Sequence, residues 1–384
     1  VSDPMTALAI EPSTESRPRT PRPGCVIAAD ASYAARLAHT GATHGTPAAW
    51  FPERWTLDGP EPYAVPLPRN QPEEPDTAVL PLADGRVLVH REAAGRHLFA
   101  LLYPTGPGTG EVPLGAVECA ELTLLPPAPD GRLAYALAPG DGTTDVWLVA
   151  GGAFGPERVA RVPGRCSGGV WLDRDARLLA LDRAGPEGGG PVKTVAVDLE
   201  RGGEVTPLLQ ITEESEDRLL LADLDSGLIV LRSDAAEPGR PRLGWGVLGS
   251  TLPIRFPRAL RVPDCAVTPF AAQPGQTLLP EQCAVALRVD GPEESTASWL
   301  GVWRPSDGVL HQLAAPAGWL TGCGFWSRDG VLSLPYATDT VPCGVARVPA
   351  PEPCPRRPAA PAEPAAPRPV PLGQAPLGGR RTGG

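Results

Sequence analysis

An acidic turn recurs along this chain at near-regular intervals, each time followed by a short apolar run. It reads "LADGRVLVHRE" at Asp84-Gly85, "APDGRLAYALA" at Asp130-Gly131 and "SRDGVLSLPYA" at Asp329-Gly330. Looser copies stand at Asp30 in "AADASYAARLA", Asp175 in "DRDARLLALDR" and Asp217 in "ESEDRLLLADL". A degenerate one lies near Glu281 in "LLPEQCAVALRV". Asp-Gly suits a tight hairpin turn, because glycine enters positive φ without a Cβ clash. The seven turns lie 42 to 64 residues apart. That period accommodates four short strands and their connections, which is one blade of a β-propeller.

The segments between turns agree with this. After a turn comes a run of strand length, such as "RLAYALA" (132–138) or "RLLALD" (177–182). A Gly/Pro/Asp-rich gap follows, then a second run: "DVWLVA" (145–150), "TVAVDL" (194–199) or "SWLGVW" (298–303). Before the turn sits a third, such as "CVIAA" (25–29) or "CAELTLL" (119–125). The fourth is faint, as in "RVARVP" (158–163) and "VLHQLAAP" (309–316). No window of a dozen residues keeps a helical apolar stripe free of Pro or Gly. The expected fold is therefore all-β: a seven-bladed propeller over residues 1–350, with six and eight blades as the alternatives. The last unit is short. Residues 5–12, "MTALAIEP", are expected to complete it beside "GVARVP" (344–349), with 13–24 as a loop to the centre. From Pro351 to Gly384 proline-rich sequence replaces apolar runs, so 351–384 is expected to be a disordered tail.

"FWSRDGVLSL" (325–334) and "PPAPDGRLAYAL" (126–137) resemble the Trp-Ser-Pro-Asp-Gly unit of TolB-type propellers. That family is similar to the propeller preceding the hydrolase domain of prolyl oligopeptidases. Arg328 stands where the unit usually has Pro, and the Asp175 and Asp217 units lack the Gly. The resemblance covers roughly residues 25–350 and implies the fold. It implies roles as an interaction platform or substrate gate, and brings no catalytic residues with it.

Composition removes several function classes. The net charge is −10 and no basic stripe exists, which argues against a nucleic-acid partner. No apolar run reaches the length of a membrane span. The N-terminus lacks the pattern of a signal peptide, so a cytoplasmic location is expected, with export only if a leader has been removed. A single Lys (Lys193) and a single Asn (Asn70) among many Arg, Ala, Gly and Pro fit a high-GC bacterial genome. No Ser has Gly at both −2 and +2, so no nucleophile elbow is written. "GWGVLG" (244–249) matches a dinucleotide fingerprint in letters only. Prolines 253 and 257 follow it where a helix is required, and Trp245 is expected to pack between blades.

Three groups remain. The eight cysteines contain no Cys-x-x-Cys pair and read as small buried residues. Five of them, Cys25, Cys119, Cys166, Cys265 and Cys323, fall before a turn, on the stretch expected to line the channel. There they are candidates for soft-metal binding or redox sensing. The histidines 39, 44, 90, 97 and 311 read as exposed loop residues rather than a metal set. Trp50, Phe51, Arg54 and Trp55 form an aromatic and basic concentration of the kind used at interfaces. The reading that follows is a monomeric, non-catalytic scaffold without cofactor, binding a protein or peptide at one mouth of the channel. The alternatives are a metal-dependent lactonase- or lyase-like propeller enzyme, and an accessory propeller for a separately encoded hydrolase.

Overall fold

A computed structural model describes residues 24–40, 49–185, 190–275, 278–292 and 298–353. Seven antiparallel sheets follow one another along the chain, over residues 26–66, 78–118, 123–163, 166–209, 217–247, 266–313 and 325–349. Each sheet is a simple meander of consecutive strands. Blades 1, 2, 3, 4 and 6 have four strands, and blades 5 and 7 have three among the described residues. First strands of successive blades touch, as Val26–Ile27 does Ala78–Pro81 and Asp217–Ala222 does Ala266–Ala272. The core is not one mass but seven clusters, each lying in the seam between neighbouring blades. The seventh joins Ala34, Trp55 and Leu57 of blade 1 to Phe325, Ala337 and Val345 of blade 7, so the ring is closed. The fold is the seven-bladed propeller expected. The closing strand 5–12, its loop up to residue 23, His44 and the tail from 354 lie outside the described residues.

Stacking buries both faces of each sheet, which explains the continuous apolar runs after each turn. The second strands Ala134–Pro139, Leu178–Arg183 and Val331–Tyr336 are buried along nearly their whole length. Outer strands such as Glu204–Leu209 are largely exposed, which is why they are faint in the sequence.

The recurring turn has one geometry. Gly85 N–H donates to Leu82 O at 3.0 Å, Gly131 N–H to Ala128 O at 2.9 Å and Gly330 N–H to Ser327 O at 3.2 Å. The residue after the Asp has positive φ: +81° at Gly85, +69° at Gly131 and +78° at Gly330. The Asp carboxylate accepts the N–H two residues on, from Arg86 to Asp84 at 3.0 Å and from Arg132 to Asp130 at 3.1 Å. Blades 1 and 4 keep the turn with alanine at that position, Ala31 at 59° and Ala176 at 55°.

Blade 5 corrects the expectation. Asp217 is not at a turn; it opens the innermost strand, Asp217–Ala222, and the turn is at 223–227. There Gly227 N–H donates to Asp223 O at 2.9 Å, and Ser226 N–H and Oγ both donate to the Asp223 carboxylate. Among the described residues, blade 5 also lacks a conventional fourth strand. Residues 254–256 run beside Arg242–Val247 through a single bridge, Trp245 with Arg255. Gly244 and Gly246 leave room there, and Ile254 and Phe256 lie directly over them. Trp245 packs between blades 5 and 6, edge-on to Trp303.

Candidate functional site

A cavity of about 1350 Å³ opens where the chain enters the first strands of blades 1, 2 and 3. Its far wall is Phe270 of blade 6 and residues 322–324 before blade 7. Propeller rings are narrowest at the axis, so side chains from several blades meet around one opening.

The floor of this site is an ion cluster. Arg91, in the Val87–Ala93 strand, clasps Glu73 through Nε at 2.8 Å and Nη2 at 2.6 Å. Its Nη1 donates to Glu111 at 2.7 Å. Arg69 reaches the same Glu111 at 2.8 Å and donates to Thr109 O at 3.0 Å. Glu73 is buried, and its backbone N–H donates to Trp50 O at 2.9 Å, which fixes it across the blade 1–2 seam. The hydrogen bonds that Arg91 donates to Glu73 hold its guanidinium more firmly protonated than usual, against the opposing effect of burial. Burial raises the Glu111 carboxyl, but Arg91 and Arg69 outweigh it and leave it below the ordinary range. Both guanidiniums are thus committed to carboxylates. Of the lining carboxylates, Glu73 and Glu111 pair with these two arginines and Glu121 with Arg165, while Glu74 and Glu92 are exposed.

Beside this cluster His90 and His97 face each other across adjacent strands. His90 Nε2 and His97 Nδ1 are 2.9 Å apart, and His97 Nε2 is 3.2 Å from the Cys119 carbonyl oxygen. That carbonyl only accepts, so Nε2 of His97 carries a proton, and in the neutral ring Nδ1 accepts from His90. His97 is 2% exposed, which corrects its expected place as a solvated loop residue. Among the described residues no three His, Cys, Asp or Glu side chains converge in a metal-holding group.

The five cysteines before the turns have separate fates. Cys25 and Cys323 line the cavity and are bonded to each other as a disulfide. Both are buried, as expected of the cysteines, but as a bonded pair, whereas Cys119, Cys265 and Cys343 are only half-buried. Cys119, Cys166 and Cys265 remain thiols and do not line the cavity. Burial raises the Cys119 and Cys166 thiols, which suppresses the thiolate.

The aromatic concentration of blade 1 divides between two seams. It lies on one strand, Trp50–Thr56, whose side chains alternate in direction. Arg54 stacks on Tyr33 and donates to Gly85 O of blade 2 at 3.3 Å. Trp55 points the other way. It is 1% exposed in the blade 7–1 core, with Arg36 over its ring and its indole N–H donating to Glu53 at 2.7 Å. Trp50 and Phe51 are half-buried, and His39 meets Trp50 edge-on. Sequence proximity brought these rings together on paper; strand alternation parts them. The Arg91 cluster was missed, although an Arg inside the apolar "RVLVHREA" was a signal that a buried partner must exist.

No family model matches the sequence, and no curated protein matches it. Solved structures do resemble the fold. The β-propeller domain of the trilobed protease from Pyrococcus furiosus, which has an open velcro topology, superposes with a TM-score of 0.51 at 12% identity. That match covers 82% of this chain and 89% of that one. Prolyl oligopeptidase B from Galerina marginata gives 0.51 at 12% identity, covering 85% of this chain but 49% of the other. Putative TolB from Agrobacterium tumefaciens gives 0.41 at 14% identity, covering 62% and 79%. The chain is thus a seven-bladed propeller whose fold resembles the propeller domain of the trilobed protease and that of prolyl oligopeptidase B. It spans about half of the oligopeptidase chain. These likenesses bear on architecture alone.

Proposed function

We propose that the protein is a non-catalytic binding module that holds a basic peptide segment of a partner protein at the channel mouth. The observation that carries this reading is the acidic cavity of about 1350 Å³, whose two arginines are already neutralised by Glu73 and Glu111. Volumes of this order hold several residues of extended peptide. The surplus carboxylates, Glu74 and Glu92 at the rim, supply attraction and orientation for Lys or Arg side chains.

Titration with a fluorescent Arg/Lys-rich decapeptide tests this. Binding that weakens with added salt, and weakens roughly fivefold or more in the Glu74→Gln/Glu92→Gln double variant, is the expected result. Equal affinity for an acidic decapeptide, or no effect of the double variant, removes the reading. Co-purification with a serine hydrolase would put the accessory-propeller alternative in its place.

A further inference from the structure

We propose that the Cys25–Cys323 disulfide is a redox-operated clasp: closed, it ties blade 1 to blade 7, and opened by a dithiol it frees that seam and widens the channel mouth. The inference goes beyond the peptide-binding reading and does not depend on it.

The first observation is where the bond sits. It joins residues 298 apart in sequence, immediately before the innermost strands of the first and last blades. Every other seam lies between blades consecutive in the chain, so its two sides are joined by the connecting loop. Only this seam must close ends that the chain does not link. Among the described residues each sheet consists of its own consecutive strands, and no strand of blade 1 pairs with blade 7.

The second observation is how little else crosses there. Other seams carry several polar ties. Lys193 of blade 4 bonds Asp217 of blade 5, Thr144 of blade 3 bonds the backbone of Gly164 and Cys166, and Gln273 of blade 6 bonds Arg328 O of blade 7. Across the 7–1 seam, among the described residues, the hydrogen bond is from Gly24 N–H to Thr321 O at 3.1 Å, beside the apolar cluster. Among the described residues, removing the covalent link leaves side-chain packing to carry most of the closure.

The third observation is access. Both half-cystines line the channel-mouth cavity but are buried, 5% and 4% exposed, so a small dithiol entering it reaches the bond as the seam opens locally. Cys343 packs against the same cluster, but burial lifts its thiol to about 11. It is therefore not a thiolate at neutral pH and does not scramble the bond. In the opening reaction one thiolate of the reductant attacks Cys323 Sγ. The Cys25–Cys323 bond breaks, and its electron pair leaves on Cys25 Sγ, which takes a proton. The second thiolate of the reductant then displaces Cys323 and closes a cyclic disulfide. Two electrons and two protons pass to the protein, and the dithiol is oxidised. Disulfides persist in oxidising compartments and are reduced in the cytosol, so the state of the clasp follows its surroundings.

The test begins with protein isolated under alkylating conditions. Peptide mass spectrometry is expected to find Cys25 and Cys323 cross-linked and Cys343 alkylated. Hydrogen exchange is then followed with and without dithiothreitol. Reduction is expected to speed exchange about tenfold or more in Tyr33–His39 and Val331–Tyr336, leaving Leu178–Arg183 unchanged. The Cys25→Ala/Cys323→Ala variant should show the reduced pattern without reductant and no response to it. Free thiols at both positions, unchanged exchange on reduction, or a rise spread evenly around the ring would each overturn the proposal. Reduction of the unaltered protein decides the matter even where the variant does not fold.

Discussion

The 7–1 and 4–5 seams do the same job with opposite chemistry. At 7–1 an apolar cluster and one covalent bond join the blades. At 4–5 a buried polar network crosses the interface. Asp217, fully buried, accepts from Lys193 Nζ at 2.9 Å, Ser233 Oγ at 2.6 Å, Ile211 N–H at 3.0 Å and Ser215 Oγ at 3.0 Å. Next to it, Thr194 Oγ1 accepts Leu219 N–H at 3.0 Å. The same oxygen lies 2.8 Å from the Asp217 carbonyl and 2.9 Å from Asp182 Oδ1. One hydroxyl proton cannot serve both acceptors. The network is complete when Asp182 is protonated and donates to Thr194, which donates to Asp217 O. Burial pushes the Asp182 carboxyl up to about 6, against the pull of the Arg218 charge. One seam therefore answers to thiol reagents and the other to acidity.

The contrast breaks most sharply at Asp217. Asp217→Ala strands the Lys193 charge and several buried donors, and should cost about 4 kcal/mol in urea unfolding. Trp55→Ala should cost about 3 kcal/mol, by opening a hole in the 7–1 seam rather than orphaning a charge. The extra loss on reduction should then be larger than in the parent, because packing and the covalent link share one seam.

The sign for Asp182 follows from its raised value. The folded state keeps a proton that the unfolded chain gives up near 3.8, so stability is greatest below that and declines as pH rises through about 6. Asp182→Asn keeps the donor and removes the titration. Its advantage over the parent should grow by about 2 kcal/mol between pH 4 and pH 7, read from paired urea melts. The smallest effect is at the turns. Ala31→Gly relieves a left-handed alanine and should stabilise by about 0.5 kcal/mol, while Gly85→Ala should cost about 1 kcal/mol.

Local chemistry was legible and long-range chemistry was not. The Asp-Gly turns announced themselves because one side-chain acceptor and one positive φ fix a hairpin without help from elsewhere. The same cue misled at Asp217, where "ESED" looks like a turn but supplies the hub of a buried network. The true turn, "DLDSG", spreads the task over five residues. Pairing of Cys25 with Cys323 was unreadable, since spacing does not determine which cysteines meet. Burial of His97 and Trp55 likewise depends on blades that fold from distant sequence. Their residue types fit a loop or a surface equally well.

The roof over Gly244 and Gly246 has a further consequence. A three-stranded blade would ordinarily offer a row of free N–H and C=O groups along its rim, an invitation to pair with the rim of another molecule. Here Ile254 and Phe256 sit over the two bare glycines, and Arg255 stacks on the Trp245 ring at 5.0 Å. A side chain at position 244 would press on Ile254 and Phe256 and loosen this cover, baring part of that rim.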